Sequence, residues 1–158
     1  MKTVKICISC INGYLTYDFV ESLRNQKDFK SYLIGIDMSE RNKGKILCNK
    51  FYKINNPKNE KRYIKDLINI YRKEKFDIFF PLSDLESFVV LKNIKKLEKL
   101  NIRFKLPSNN IGTAKLLYDK MKFLNFCQDN GINVGKFKII SNYSSLFQEI
   151  KKNLKKKY

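Results

Sequence analysis

A chain of 158 residues has room for one globular core with a small appendage, but not for two domains with large cores. Hydrophobic residues make up 43% of it and aromatic residues 13%, which excludes a disordered or fibrous protein. No apolar run approaches the roughly 20 residues that a membrane-spanning helix needs, and the first apolar stretch lacks the pattern of a signal peptide. The sequence therefore predicts a globular protein of the cytoplasm.

The formal net charge is +18, from 33 basic and 15 acidic residues. Such an excess suggests binding to nucleic acid. However, only five of the basic residues are Arg, whose planar guanidinium best suits phosphates and base edges, and the excess comes with 17 Asn and 18 Ile. Because Lys, Asn and Ile have codons rich in A and T, we interpret the charge mainly as codon bias. A basic nucleic-acid-binding protein is therefore the weakest of the functions considered for this chain.

The complete absence of His excludes a His general base, a Ser-His-Asp triad and a zinc-protease helix within this chain. Of its four Cys, Cys7 and Cys10 have CxxC spacing. They lie at the end of an apolar strand, whereas a redox pair is expected at a helix N-terminus, which lowers the thiol pKa. We therefore expect structural thiols and no metal site.

Strands and helices alternate along the first two thirds of the chain. The apolar periodicity predicts strands at 3–9, 31–37, 51–54, 77–82 and 101–106, helices at 15–25, 61–75 and 85–100, and a loop with about one helical turn at 38–49. This order with short connections predicts an α/β fold, a Rossmann-like domain over 1–107 with an open, mostly parallel sheet and right-handed crossovers.

The pattern changes after Pro107. Ser108 can cap a helix that runs to residue 118, and Asp119 can cap a second helix over 120–130 that ends at Gly131. A strand at 134–140 and an amphipathic helix at 144–157 follow. Residues 108–158 are thus predicted to form a helical hairpin and one βα unit, which is too small for a second core.

Polar residues follow three of the predicted strands, at the edge of a parallel sheet where ligands gather. They are Asn12, Gly13, Asp37, Ser83, Asp84 and Glu86. Gly13 alone cannot supply the GxGxxG turn of a dinucleotide site, so Asp37 is weak evidence for a ribose contact and could simply cap a loop. Ser83, Asp84 and Glu86 could bind a cation or a substrate amine, or they could cap the next helix.

Lys120 stands beside Asp119 at the start of a predicted helix. A lysine there opposes the helix dipole and costs a few tenths of a kcal/mol unless an anion such as a phosphate shares the site. Lysine is so common in this chain that its position alone is modest evidence for a phosphate site.

The ordered set of short segments resembles the N-terminal part of ATP-grasp ligases, over essentially the entire chain. The closest likeness is to carbamoyl phosphate synthetase large-subunit-like proteins and the pyrrolysine-biosynthesis ligase. The segments are Gly13-Tyr14-Leu15, Tyr17-Asp18-Phe19, Leu33 to Asp37, Phe80 to Asp84, Asp119-Lys120 and Asn130-Gly131-Ile132. Two departures are the sequence Ser9 to Asn12, where the family has a more glycine-rich turn, and Gly135, where proline is common.

The resemblance implies that residues 1–107 form a pre-ATP-grasp domain that lends one wall to a substrate cleft. It implies that 108–158 are linker helices and the start of an ATP-grasp domain, and that Lys120 is the first nucleotide-phosphate lysine. The predicted cleft residues are Asn12, Gly13, Asp37, Ser83, Asp84 and Glu86. No catalytic residue is predicted within the chain.

Family members continue into a second phosphate lysine, a glycine-rich loop over ATP, and ligands for Mg²⁺, which this sequence does not contain. We therefore expect the chain to be inactive alone, with ATP and Mg²⁺ bound only in the complete enzyme. The expected partners are a missing C-terminal portion or a separate polypeptide, and a small carboxylate substrate; a homodimer is left open. A regulatory module that binds a small metabolite or anion is the alternative.

Overall fold

The computed structural model describes residues 1–41, 43–135, 137, 140 and 142–154, without the side chains of 153 and 154. The chain divides into two compact units, Met1–Tyr118 and Asp119–Tyr158. Within the described residues no helix is long and apolar enough to cross a membrane. The cytoplasmic location stays a prediction.

The first unit is built on a parallel sheet of four strands in the order β3-β2-β1-β4. The strands are β1 (Thr3–Ile8), β2 (Lys30–Asp37), β3 (Lys50–Lys53) and β4 (Ile78–Phe80). Residues 6 to 8 of β1 pair in parallel with β2 on one side and with β4 on the other. This open sheet with helical crossovers confirms the predicted Rossmann-like α/β fold.

Helices cover both faces of the sheet. The helices of the first unit are α1 (Thr16–Asn25), α2 (Glu60–Glu74), α3 (Asp84–Lys92), α4 (Ile94–Glu98) and α5 (Ile111–Tyr118), with a 3-10 helix at Lys43–Leu47 in the predicted loop. Alternate β1 side chains enter different cores, since Ile6 and Ile8 join one cluster with Val20 of α1, whereas Cys7 joins the other with Leu67 of α2. Apolar residues on both faces explain the near-continuous hydrophobic runs of β1 and β2.

The predicted helix over 85–100 is wrong as a single helix, because it breaks at Asn93. The Asn93 backbone has φ −107° and ψ 15°, outside the helical range. Its side-chain amide donates to the Val89 carbonyl at 2.9 Å and to Glu60 Oε1 at 3.0 Å. Such local hydrogen bonds compete with the helical ladder, so α3 ends there and α4 begins.

The predicted fifth strand at 101–106 is reduced to an isolated parallel bridge between Phe79 and Phe104. Asn101 has φ +56°, a left-handed conformation that turns the chain at the end of α4. Phe79 then donates to the Arg103 carbonyl at 2.8 Å and accepts from the Lys105 amide at 3.0 Å. Pro107 lacks a backbone N–H and cannot extend the ladder.

The second unit contains α6 (Lys120–Asp129) and α7 (Tyr143–Leu154). Asp119 caps α6 as predicted, because its side chain accepts from the Lys122 amide. Of the predicted strand at 134–140, residues 136, 138 and 139 lie outside the described residues, and the others are not in a strand. The predicted end of the last helix, 155–157, also lies outside them.

Candidate functional site

The carboxyl ends of β1, β2 and β4 meet at one edge of the sheet in the first unit. The loop after β1 carries Cys10, Asn12 and Gly13, β2 ends on Asp37, and Ser83 caps α3 directly after β4. Backbone hydrogen bonds hold these loops together, because Ser9 donates to the Phe80 carbonyl at 3.0 Å. The parallel topology thus collects residues that are far apart in sequence.

Glu86 in the first turn of α3 is the centre of a buried hydrogen-bond network. Its side chain is 5% exposed. Ser9 Oγ donates to Glu86 Oε2 at 2.7 Å, Ser83 Oγ donates to the same oxygen at 2.8 Å, and Tyr63 OH donates to Oε1 at 3.2 Å. Ser83 Oγ also accepts from the Glu86 amide at 3.2 Å, which confirms Ser83 as the helix cap.

Burial raises the pKa of the Glu86 carboxyl, and the nearby Asp37 carboxylate raises it further. The three hydroxyl donors lower this pKa because they favour the charged form, but burial outweighs them. The network therefore fixes the carboxyl group in position while making its charge costly. Any positive group that entered beside it would relieve that cost.

Asp37 lies at the end of β2 and is 8% exposed. Its Oδ2 accepts from the Asn12 amide at 3.1 Å, and its Oδ1 accepts from the Ser39 amide at 2.9 Å. Asp37 therefore caps two loops, in agreement with the prediction that it could cap a loop. Both its oxygens retain a lone pair for a further donor.

Cys10 lies in the loop after β1 and has a left-handed backbone conformation, with φ +53°, which residues other than glycine rarely adopt. Its carbonyl accepts from the Gly13 amide at 2.8 Å and from Thr16 Oγ1 at 2.9 Å, so the loop after β1 is a tight, well-bonded turn. Burial raises the pKa of the Cys10 thiol, and Glu86 and Asp37 add to the effect. Cys10 is thus a poor thiolate nucleophile.

A cavity of about 330 Å³ opens among these groups. It is lined by Cys10, Asp37, Met38, Ile54, Asn56, Pro57, Lys58, Ser83, Leu85 and Glu86. Three of the predicted cleft residues, Asp37, Ser83 and Glu86, therefore share it. Gly13 lines a neighbouring cavity of about 390 Å³ with Tyr14, Leu15 and Leu82, and Cys10 borders both.

Two predicted cleft residues do not line these cavities. Asp84, the first residue of α3, is exposed. Asn12 is also exposed, and its backbone N–H donates to the Asp37 carboxylate. The acidic pair that lines the cavity is thus Asp37, at the end of β2, with Glu86, in the first turn of α3. Asp84 is not part of it. The individual functional roles of all these residues stay predictions.

Sequence reasoning missed Ser9, Tyr63 and Cys10 as parts of this site. Tyr63 precedes Ile64 in the apolar stripe of α2, and its hydroxyl reaches Glu86 only because α2 packs beside α3 over the sheet. Ser9 is fully buried at the end of an apolar strand. A buried serine must find a polar partner, so a serine at the end of an apolar strand is the signal that could have pointed to it.

No protein-family model matches this chain, and no curated protein matches it. Solved structures do match. N5-carboxyaminoimidazole synthetase from Staphylococcus aureus, complexed with ADP, superposes with a TM-score of 0.55 and 16% identity, over 96% of this chain and 37% of that one. L-amino acid ligase from Bacillus licheniformis superposes with a TM-score of 0.55 and 14% identity, over 96% of this chain and 42% of that one.

The biotin carboxylase domain of a thermophilic 2-oxoglutarate carboxylase, bound to bicarbonate, also matches. Its TM-score is 0.51 at 13% identity, over 91% of this chain and 32% of that one. The matches show a Rossmann-like α/β fold similar to that of pre-ATP-grasp domains. Identities this low show the fold alone, and the chain spans about two fifths or less of the length of these structures.

In the second unit, Lys120 is the first residue of α6 and is exposed. Its neighbour Asp119 pairs with Lys122, whose Nζ lies 3.2 Å from Asp119 Oδ2. The bond from the Lys122 amide lowers the pKa of Asp119, and the Lys122 ammonium contributes to the shift. The negative charge of Asp119 is therefore compensated by the ammonium of Lys122. The phosphate role of Lys120 stays a prediction.

The first unit contains a second buried acid, Glu74 at the end of α2, which is 3% exposed. Burial would raise its pKa, but hydrogen bonds from Tyr52 and from Lys50, at 3.0 Å, outweigh it and lower the pKa. In turn, burial together with Glu74 raises the pKa of Tyr52 to about 12. Glu74 thus has a cationic partner in Lys50, whereas among the described residues Glu86 accepts only from hydroxyl groups.

Proposed function

We propose that this chain is the N-terminal, substrate-facing segment of an ATP-grasp carboxylate-amine ligase or a carbamoyl-phosphate-type ligase. The observation that carries the proposal is the superposition on both a carboxyaminoimidazole synthetase and an amino-acid ligase over 96% of the chain. The ordered sequence segments that resemble ATP-grasp ligases support it independently. The carbamoyl phosphate synthetase and pyrrolysine-ligase likeness rests on those segments alone.

In this proposal the carboxyl edge of the sheet forms one wall of the substrate cleft. The cavity that contains Asp37, Ser83 and Glu86 supports this role, since ligands of open parallel sheets gather at that edge. Lys120 would contribute a positive charge to a nucleotide phosphate. Its exposure at the start of a helix is compatible with that role.

We propose that the described residues hold only part of an ATP and Mg²⁺ site. Among them no group of three or more acidic or Cys side chains is placed to hold a metal ion. Phosphoryl transfer depends on such ligands, because the metal neutralises the charge of the transferring group. We therefore assign no catalytic step to this chain and propose that a continuation or a separate polypeptide supplies the rest of the active site.

The proposal is tested by reading the genomic DNA downstream of the codon for Tyr158 and purifying this chain together with the polypeptide encoded there. We expect release of inorganic phosphate from ATP and Mg²⁺ that depends on a carboxylate. A Lys120→Ala variant should reduce the release at least tenfold, whereas Lys115→Ala, an exposed lysine on α5, should not. No phosphate release with any neighbouring polypeptide, or tight binding of ATP by this chain alone, would contradict the proposal.

A regulatory module that binds a small metabolite is the second candidate. It is favoured by one observation, namely that the 330 Å³ cavity is formed entirely by residues of the first unit. A sugar phosphate or nucleotide that raises the melting temperature without Mg²⁺, and without any partner, would favour this candidate over the ligase.

A further inference from the structure

The cavity at the carboxyl edge of the sheet combines apolar walls with an acidic floor. Met38, Ile54, Pro57 and Leu85 supply most of the wall, and at about 330 Å³ the cavity is at the lower end of the range for small-molecule pockets. Such a space fits a compact ligand with an aliphatic body. A large nucleotide would not be enclosed by it.

The floor consists of two buried carboxyl groups, those of Asp37 and Glu86. Asp37 is 8% exposed and Glu86 is 5% exposed. Among the described residues they accept five hydrogen bonds, two from backbone amides and three from hydroxyls, and all five donors are neutral. In the part of the chain that the structure describes, neither carboxylate forms a salt bridge with a lysine or arginine.

Buried carboxylates are usually paired, because an uncompensated buried charge is expensive. The same protein shows the usual solution at Glu74, which is buried to a similar degree and bonds to Lys50 at 3.0 Å. Asp37 and Glu86 also raise the pKa of Cys10 together, so their fields meet at the cavity wall. Lys58 also lines the cavity, but it is exposed and, among the described residues, forms no salt bridge with Asp37 or Glu86. The two carboxyl groups can therefore accept a further positive group inside the cavity.

We propose that this cavity binds a primary ammonium group on a short aliphatic chain, with the ammonium between Asp37 and Glu86 and the chain against Met38, Ile54 and Leu85. An ammonium has three N–H donors, which suits the lone pairs that the two carboxylates still offer. The assignment rests on the proposed function in taking this cavity as part of the substrate cleft, and it names the amine side of the ligation.

Other ligand classes fit the cavity less well. A carboxylate or phosphate could meet the exposed Lys58, but it would also meet two buried acidic side chains at close range, which is repulsive. A bare Mg²⁺ or Ca²⁺ needs six or more oxygen ligands, whereas the wall here is mainly apolar. A neutral alcohol would fill the space but leave the negative charge uncompensated.

The first experiment uses the wild-type full chain and NMR titration with n-butylammonium chloride, with 1-butanol and sodium butyrate as matched probes of the same length. We expect butylammonium to shift the amides of Asn12, Ser39 and Glu86, and the other two probes to leave them in place at the same concentration. Equal shifts with butanol, or shifts confined to the amides of Lys75 and Asn101 at the opposite edge of the sheet, would overturn the assignment.

The second experiment compares charge-neutral variants. Asp37→Asn and Glu86→Gln should each weaken butylammonium binding at least tenfold, whereas Asp28→Asn, which removes one charge from an exposed loop before β2, should change it less than twofold. A circular dichroism melt of each variant verifies that it is folded. Unchanged affinity in both folded cavity variants refutes the proposal. The phosphate-release assay above tests the ligase function separately, because it requires the partner polypeptide and this titration does not.

Discussion

Replacing Glu86 by Ala removes the acceptor of three hydroxyl groups at once. Tyr63 and Ser9 are both fully buried, so their hydroxyls lose a partner where water does not reach, while Ser83 is half-buried and can turn to solvent. An unsatisfied buried group costs about 1–3 kcal/mol, which gives about 2–6 kcal/mol for the two. Removing a buried carboxylate whose pKa is raised offsets part of this, so we expect about 2–4 kcal/mol.

Glu86→Gln is the matched variant. Its amide oxygen still accepts hydrogen bonds, its volume is nearly unchanged, and the hydroxyls of Ser9, Ser83 and Tyr63 can rotate to suit it. We expect its stability at neutral pH to lie within about 1 kcal/mol of the wild type, or above it, because the buried charge is gone. Glu40→Ala, at an exposed position, should change stability by less than about 0.5 kcal/mol.

Urea unfolding followed by far-ultraviolet circular dichroism measures these differences. With a slope of about 2 kcal/mol per molar urea, a loss of 2–4 kcal/mol lowers the midpoint by about 1–2 M. The reasoning is refuted if Glu86→Ala unfolds at the same midpoint as Glu40→Ala. It is also refuted if Glu86→Gln is as unstable as Glu86→Ala, since then the charge rather than the hydrogen bonds would hold the site together.

Three further outcomes follow from the structure. The folded-state pKa of Glu86 is raised, so its contribution to stability is full below the unfolded-state pKa near about 4.3 and is lost as the pH rises through the folded-state pKa. We therefore expect the free energy of unfolding of the wild type, relative to that of Glu86→Gln, to fall between about pH 4 and pH 8. A rise over this range would contradict the reasoning. Tyr52→Phe removes a donor from buried Glu74 and should cost about 1.5–3 kcal/mol in urea unfolding, and a neutral effect would show that the bond is unimportant. In Gly44→Ala the added Cβ would lie 2.1 Å from the Ile11 carbonyl oxygen, so we expect a loss of about 1–3 kcal/mol and a lower melting temperature, and an unchanged melt would refute the close approach.

The fold class and most element positions were predictable from the sequence, because β1, β2 and α2 have strong periodicity. The prediction failed where a single side chain decided the outcome. Asn93 ends α3 through a side-chain hydrogen bond to the Val89 carbonyl, and the sequence does not show which Asn of a helical segment will form such a bond. The predicted cap Ser108 is another such case, since Asn110 Oδ1 accepts from the Thr113 amide at the start of α5 instead.

The candidate site was predictable at the level of a sheet edge but not at the level of atoms. The topology rule placed Asp37 and Glu86 at the same edge, and both line one cavity. The donors to Glu86 come from β1, α2 and the β4–α3 loop, and only tertiary packing brings the elements that carry Ser9 and Tyr63 together. Sequence spacing contains no information on which hydroxyl reaches which carboxylate.

Both outer strands of the sheet are brief and carry positive charge. β3 has four residues and begins and ends with lysine, while β4 has three residues and meets Arg103 and Lys105 along its outer side. Short, lysine-bearing margins discourage strands of neighbouring molecules from adding to a sheet. With a formal charge of +18, copies of this protein also repel one another, so these margins protect it against edge-to-edge aggregation at high concentration.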